Sequence, residues 1–181
     1  MNANLMNPAA KILVMVGGEL ACVKLVGRAN FASSLDFKTL IHELRARGYA
    51  RFVLDLSECA LMDSTFLGGL AGFGLEMAKS SAGACASAIE LLNPNERITE
   101  LLEDLGILYL FKCCQGALAP PTDAETTAVT CSIPSRLELA RASLEAHELL
   151  MGLNRENALK FKDVAQFLAE DLRRLGGGQT P

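Results

Sequence analysis

The sequence lacks the patterns of a metal or redox site. Its six cysteines form no CxxC pair, and its two histidines, His42 and His147, are not paired with each other. Four of the cysteines lie in apolar runs, where cysteine acts as a small hydrophobic residue. We therefore expect no metal and no cofactor, and a reducing, cytoplasmic compartment for the protein.

Long apolar runs and basic clusters are missing as well. The longest stretch without charge lies between Asp63 and Glu76, well short of the roughly 20 residues that a membrane-spanning helix needs. The amino terminus has no signal-peptide pattern. The formal net charge is -4, and no cluster of Lys and Arg is interleaved with aromatic residues. Neither a membrane nor nucleic acid is expected as a direct partner.

What the sequence does contain predicts one α/β domain with an appendage. Half of the 181 residues are hydrophobic and 21% are charged, which is typical of a folded globular protein. Strand-like and helix-like apolar spacings alternate, which favours a mixed β-sheet with helices packed on it. The patterns predict a β-hairpin (11–16 and 21–26), a helix capped by Ser33 or Ser34 (33–47), a strand (51–56), a helix (67–79), a strand (86–92), a helix (95–105) and a strand (107–112).

The composition changes after Gly116. The next stretch holds three of the six prolines and many Ser and Thr residues, which suits an extended linker. We place a domain at 1–117, a linker at 118–134 and a C-terminal helical appendage at 135–176. Two helices are predicted in the appendage, with Asn154 as the cap of the second.

Apolar and small residues of the appendage recur at alternating steps of three and four, which is a heptad seam. His147 takes one seam position, where a polar residue can set register or partner choice. The pattern fits a hairpin folded on itself, a lid on the first domain, or a helix pair that makes a homodimer. The seam comprises Leu137, Ala140, Leu144, His147, Met151, Asn154, Ala158, Phe161, Ala165, Leu168, Leu172 and Leu175.

The most informative segment reads VLDLSECALMDSTFLGGLAGFG, in which a strand ends and a helix begins near Asp63 and Ser64. Open α/β sheets carry functional groups at this edge, so Ser64 is expected at the helix start, partly exposed. A phosphate there suits the helix N-terminus, but its charge of about -1.5 to -2 disfavours a partner docked over it. Asp, Ser and Thr before an apolar helix also suit a simple cap, and the motif alone favours capping.

The stretch from about Lys11 to Gly116 resembles the STAS domains, the family of anti-sigma factor antagonists and their relatives. The resemblance rests on four segments in the family's order and spacing, and it covers roughly the first two thirds of the chain. They are the opening hairpin leading into Leu25-Val26-Gly27-Arg28, the VLDLS strand, the MDSTFLG loop and helix start, and the closing LLEDLGILYLF.

The resemblance implies a signalling module, switched by phosphate, that is not an enzyme. It implies an anti-sigma factor as the partner, often one that is also a serine kinase, and a PP2C-type phosphatase that reverses the modification. The phosphoacceptor would be Ser64, with Thr65 as a minor candidate. The partner-binding residues that it implies are Asp63, Ser64, Thr65, Phe66, Arg28 and Asn30.

Two residues depart from the family pattern. Phe66 stands where glycine is usual, and its side chain could narrow kinase access or make a specific contact. Asn30 stands where an acidic residue is frequent, which keeps the turn chemistry and removes the charge.

Other functions have less support. A hydrolase with Ser64 as nucleophile needs a base, and the sequence places neither His42 nor His147 convincingly. The glycines of 68–74 match no nucleotide-binding pattern, so close helix packing is the better interpretation. Two alternatives stay open: a scaffold subunit of a larger sensory assembly that oligomerises through the seam, and a sensor that binds a lipid or nucleotide beneath its helices.

Overall fold

The computed structural model describes residues 10–80, 89–117, 125–129 and 133–176. Within these ranges no helix combines the length and the hydropathy needed to cross a bilayer. The strands are β1 (Lys11–Gly17), β2 (Leu20–Ala29), β3 (Arg51–Met62), β4 (Ile89–Leu92), β5 (Lys112–Cys114) and β6 (Glu125–Ala128). The helices are α1 (Phe31–Ala46), α2 (Ser64–Ser80), α3 (Glu96–Asp104), α4 (Arg136–Leu153) and α5 (Arg155–Gly176), with a 3-10 turn at Leu108–Leu110.

The described strands form one mixed sheet in the order β5-β4-β3-β2-β1-β6. β1 and β2 make the predicted antiparallel hairpin, and Gly18 in its turn has φ +58°, a conformation that costs glycine little. β2, β3, β4 and β5 run parallel, which requires a crossover connection between each strand and the next. The α/β fold class predicted from the sequence is confirmed.

The two faces of the sheet are covered unequally. Alternate strand residues point to one face, where Leu25, Leu54 and Leu91 join side chains of the helices in the main core. The other face holds a small cluster around Cys22 and Val53. The helix-covered face therefore supplies most of the apolar burial, and it sets the position of α1 and α2.

Two segments differ from their predicted structure. The strand expected at 107–112 is a 3-10 turn followed by β5, because Ile107 and Leu110 are both buried while Tyr109 is 70% exposed, a spacing that an extended strand cannot give. The predicted linker contains β6, which pairs antiparallel with β1. This pairing satisfies the backbone groups that an uncovered edge strand would leave open. Residues 86–88 of the predicted fourth strand lie outside the described ranges.

The appendage is a helical hairpin that packs both on itself and on the domain. Leu150 and Phe161 from its two helices join the main core. Asn154 caps α5 as predicted, since its side-chain oxygen accepts the Asn157 amide at 2.8 Å. The side chains of Asn154 and Asn157 also donate to the Leu105 carbonyl at 3.3 and 2.9 Å. The turn of the hairpin is thus fastened to the end of α3.

The small cluster on the second sheet face predicts a pH dependence of stability. The pKa of the Cys22 thiol is raised from 9.0 to about 11, mainly by burial and in part by the Asp55 carboxylate, while Lys24 opposes the shift. The unfolded chain loses this proton at lower pH than the folded chain, so the contribution is complete below about pH 9 and is lost as the pH rises toward about 11. In urea titrations across this range, the unfolding free energy should fall more steeply for the parent than for Cys22→Ala. If the unfolding free energies of the parent and Cys22→Ala fell in parallel with pH, the pH dependence could not be assigned to Cys22.

Candidate functional site

The loop between β3 and α2 lies where two parallel strands end and two helices begin. Ala29 at the end of β2 pairs with Met62 at the end of β3, and the Asp63 amide donates to the Ala29 carbonyl at 3.0 Å. α1 and α2 start within two residues of these strand ends. Because a helix N-terminus carries partial positive charge, this edge brings two such ends together.

Asp63 caps both helices with a single carboxylate. Its Oδ1 accepts the Phe66 amide of α2 at 2.8 Å, and its Oδ2 accepts the Phe31 amide of α1 at 2.7 Å. Each contact satisfies one of the amides that a helix start leaves without an intrahelical partner. Asp63, predicted as a partner contact, therefore has a structural role at the same time.

Asn30 and Arg28 lie at the same edge. The Asn30 side-chain oxygen accepts the Ala32 and Ser33 amides at 3.2 and 3.3 Å, and the Ser33 hydroxyl accepts the Asn30 amide at 3.0 Å, which completes a capping box. The expectation that Ser33 or Ser34 caps α1 is wrong, because Ser33 is the third helical residue. Arg28 is exposed near the end of β2.

Ser64 is the first residue of α2, and its side chain takes no part in the cap. Its Oγ lies 2.9 Å from Nε2 of His147 in α4. The other ring nitrogen, Nδ1, lies 2.7 Å from the Ser143 carbonyl oxygen. A carbonyl only accepts, so Nδ1 carries the proton, and in the neutral imidazole Nε2 accepts from the Ser64 hydroxyl.

Further contacts hold α4 across the start of α2. The hydroxyls of Thr65 and Ser143 lie 2.9 Å apart, and Thr65 is only 4% exposed. Lys38 of α1 forms an ion pair with Glu145 at 2.9 Å. The surface around Ser64 is thereby covered by the chain itself, which is the lid arrangement that the seam left open, although the sequence did not indicate these contacts.

Glycines of α2 allow this close approach. A Cβ added at Gly68 would meet the Cβ and the carbonyl oxygen of Ala146 at 2.6 Å, and one at Gly72 would meet Leu149 at 3.2 Å. Contacts below 3.0 Å to backbone atoms cannot be relieved by rotating a side chain. Close helix packing, the interpretation preferred from the sequence, is confirmed for these glycines.

Phe66 is not a surface residue. Its side chain is 0% exposed and packs against Phe37 with ring centroids 5.0 Å apart. Phe66 therefore lies in the buried core, and the predicted partner contact through Phe66 finds no exposed side chain in this structure. Thr65, also predicted to bind a partner, is covered by α4.

The pairing of Ser64 with His147 has the distance of a nucleophile and its base, but its surroundings do not favour catalysis. A backbone carbonyl, and not the carboxylate of a catalytic triad, accepts from Nδ1 of the imidazole. A cavity of about 180 Å³ lies between α1, α2 and α4, and another of about 510 Å³ lies beside α1 and β6; neither is lined by Ser64 or His147. His42 is exposed and lines the smaller cavity.

Sequence reasoning missed the contacts of His147 and Ser143 with the helix start. The available signals were indirect: a histidine at a seam position, and Gly68 and Gly72 four residues apart in α2. Together these indicate a helix that packs closely on α2, but they do not identify which one.

No family model matches the chain, and no curated protein matches it. Among solved structures it is similar to TM1081 of Thermotoga maritima, with 20% identity over 58% of this chain and 86% of that one (TM-score 0.49). It is also similar to the anti-sigma factor antagonist SpoIIAA in its unphosphorylated form, with 19% identity over 60% and 90% (TM-score 0.47). For the phosphorylated form of this Bacillus cell fate determinant the values are 20%, 58% and 91% (TM-score 0.46).

The shared cap makes a prediction about stability. Asp63→Ala removes an acceptor from two helix starts, and we expect a loss of about 1–4 kcal/mol, since one cap contributes about 0.5–2 kcal/mol. Asp63→Asn keeps one good acceptor and should cost less. Urea denaturation measures both, with Asp104→Ala, an exposed site at the end of α3, as the control expected to stay within about 0.5 kcal/mol. Equal losses for Asp63→Ala and Asp104→Ala would refute the shared cap.

Proposed function

We propose that this chain is an anti-sigma factor antagonist. In this proposal it binds an anti-sigma factor at the edge formed by the starts of α1 and α2. An anti-sigma factor that is also a serine kinase phosphorylates Ser64, which weakens the complex, and a PP2C-type phosphatase restores binding. The chain itself is a substrate in this cycle and not an enzyme, and it acts in the cytoplasm.

The main support for Ser64 as the phosphoacceptor comes from the way in which the start of α2 is capped. The simplest competing role for this residue is that of a helix cap, and Asp63 and not Ser64 makes the capping contact to the Phe66 amide. Ser64 takes the first helical position with its hydroxyl directed away from the cap, toward His147. A side chain that the helix start does not need is one that can be modified without unfolding the helix.

The electrostatics of the edge support the direction of the switch. A phosphate on Ser64 would lie at the positive end of the α2 dipole, which the domain tolerates. A partner packed over the same position would bury an added charge of about -1.5 to -2 beside the Asp63 carboxylate. Burying charge without a counter-charge is unfavourable, so the modified form binds more weakly.

Ser64 is a better acceptor than Thr65. The Thr65 hydroxyl is bonded to Ser143, and its side chain is buried, whereas Ser64 is half-buried. The exposed Arg28 and the half-buried Asn30 and Asp63 flank Ser64 at the edge, and they remain the proposed partner contacts.

Incubation with ATP and a cognate anti-sigma kinase should add one phosphate, which peptide mass spectrometry would place on Ser64. Thr65→Val should still accept it, and Ser64→Ala should not. Ser64→Asp should bind the anti-sigma factor at least about tenfold more weakly, equivalent to about 1.4 kcal/mol. Binding is measured by calorimetry.

Ser57→Asp is the matched control, because Ser57 is an exposed serine of β3, the strand that leads into the same loop. It should bind like the parent. Equal affinity of Ser64→Asp and Ser57→Asp would reject the phosphate switch.

A scaffold subunit is the second candidate function, favoured by an apolar surface on α5. Leu159, Val164 and Phe167 are 62%, 42% and 64% exposed, which is unusual for large apolar side chains within one helix. If the chain oligomerises through α5, light scattering after size exclusion should give a multiple of 19.3 kDa, and Phe167→Ser should reduce it. A parent that elutes as a monomer at all concentrations would remove this candidate.

A further inference from the structure

We propose that the α4–α5 hairpin is an intramolecular cover that competes with the protein partner for the surface around Ser64. In this arrangement the kinase and the anti-sigma factor reach Ser64 only when α4 has left the start of α2. The identity of the partner rests on the proposed function, whereas the covering of Ser64 does not.

The covered surface is shaped to accept a helix. Gly68 and Gly72 remove side chains from one line along α2, and α4 lies along that line with Ala146 in contact with Gly68. Small residues at such a crossing let two helix backbones approach closely. The partner that fits this groove is therefore a protein that presents a helix with a small residue at the crossing and a hydrogen-bonding group beside Ser64, as α4 does.

The contacts between α4 and the surface around Ser64 are of a kind that water replaces easily. They are the hydrogen bonds of Ser64 with His147 and of Thr65 with Ser143, and the exposed ion pair between Lys38 and Glu145. Hydrogen bonds and surface ion pairs of these types contribute little net stability, because water replaces them when they open. The cavity of about 180 Å³ between α1, α2 and α4 leaves this contact incompletely packed.

The part of the hairpin nearer its turn is held more firmly. Leu150 is fully buried in the main core, and Asn157, also 0% exposed, donates to the Leu105 carbonyl at 2.9 Å. Burial of a leucine contributes more than a solvent-exposed ion pair. The hairpin is thus fastened near its turn. The part of α4 that lies over Ser64 opens at a lower cost in free energy.

Modification of Ser64 also acts on the cover. Phosphorylation replaces the hydroxyl proton of Ser64 at the contact with Nε2 of His147. The phosphate is a bulky group, and it is added at a contact that has only 2.9 Å between Oγ and Nε2. The modified chain therefore cannot re-form the same closed contact.

A thiol introduced by the substitution Ser64→Cys reports the cover directly. Its alkylation by iodoacetamide is followed by peptide mass spectrometry, and Cys113, an exposed thiol of β5, serves as the internal reference in the same chain. Adding Gly68→Ala places a Cβ within 2.6 Å of the Ala146 backbone, which forces α4 away while favouring the α2 helix. We expect the introduced thiol to react at least about tenfold faster in this double variant, with the rate at Cys113 unchanged.

Two matched controls accompany this experiment, each added to Ser64→Cys. Gly152→Ala makes the same substitution in α4 at a position where the added Cβ would meet no atom of another part of the structure within 4 Å, and it should not change the labelling rate of the introduced thiol. Glu145→Lys sets like charges against Lys38 and should accelerate labelling by a few fold, whereas Glu148→Lys, another exposed glutamate of α4, should not. Because Glu145 and Glu148 are exposed, these changes leave the core intact. Hydrogen exchange of residues 143–147, measured with Ser64 in place, should rise in Gly68→Ala and Glu145→Lys only.

The outcomes separate the cover from the proposed function. Fast labelling of the introduced thiol already in the Ser64→Cys single variant, or equal labelling with Gly68→Ala and Gly152→Ala, would overturn the cover. Faster labelling together with faster phosphorylation of Ser64 in Gly68→Ala supports both. Faster labelling without phosphorylation by any anti-sigma kinase supports the cover and counts against the proposed function.

Discussion

The Asp63 carboxylate is the interaction on which the rest of this structure depends. Its two oxygens accept one amide from the start of α1 and one from the start of α2, so a single side chain fixes the spacing of two helices whose starts, Phe31 and Ser64, are far apart in sequence. With two helix starts capped at one point, two partial positive charges meet at the carboxyl edge of β2 and β3. The groove between the helices and the position of Ser64 both follow from that spacing.

Because Asp63 makes the capping contact, Ser64 is left for other chemistry. The same hydroxyl has two uses: in the closed chain it forms a hydrogen bond with His147, and in the proposed cycle it accepts a phosphate. These uses exclude one another, since each needs the same oxygen. Ser64 both holds the hairpin closed and carries the phosphate in the proposed cycle. Its phosphorylation therefore determines whether α4 covers the surface around it.

Much of the fold was predictable because local rules act on neighbouring residues. The hairpin turn at Gly18, the cap at Asn154 and the helical spacing of α1 all depend on residues close in sequence. The cap of α1 was misassigned, since Ser33 and Asn30 both have the chemistry of a cap and only the path of the chain selects between them. β6 was missed because its four residues gain their pairing from β1, more than a hundred residues away.

The sequence by itself determined the α/β class, the strand-loop-helix segment around Ser64, and the presence of two helices with an apolar seam. It did so because periodicity and capping chemistry are local. Only the tertiary structure decided that Phe66 is buried, that Asp63 serves two helices, and that α4 covers Ser64 through His147 and Ser143. The contacts of α4 with the start of α2 join residues about 80 positions apart. The seam pattern fitted three arrangements equally, and the place of α4 on the domain depended on the surface that Gly68 and Gly72 left open to a helix.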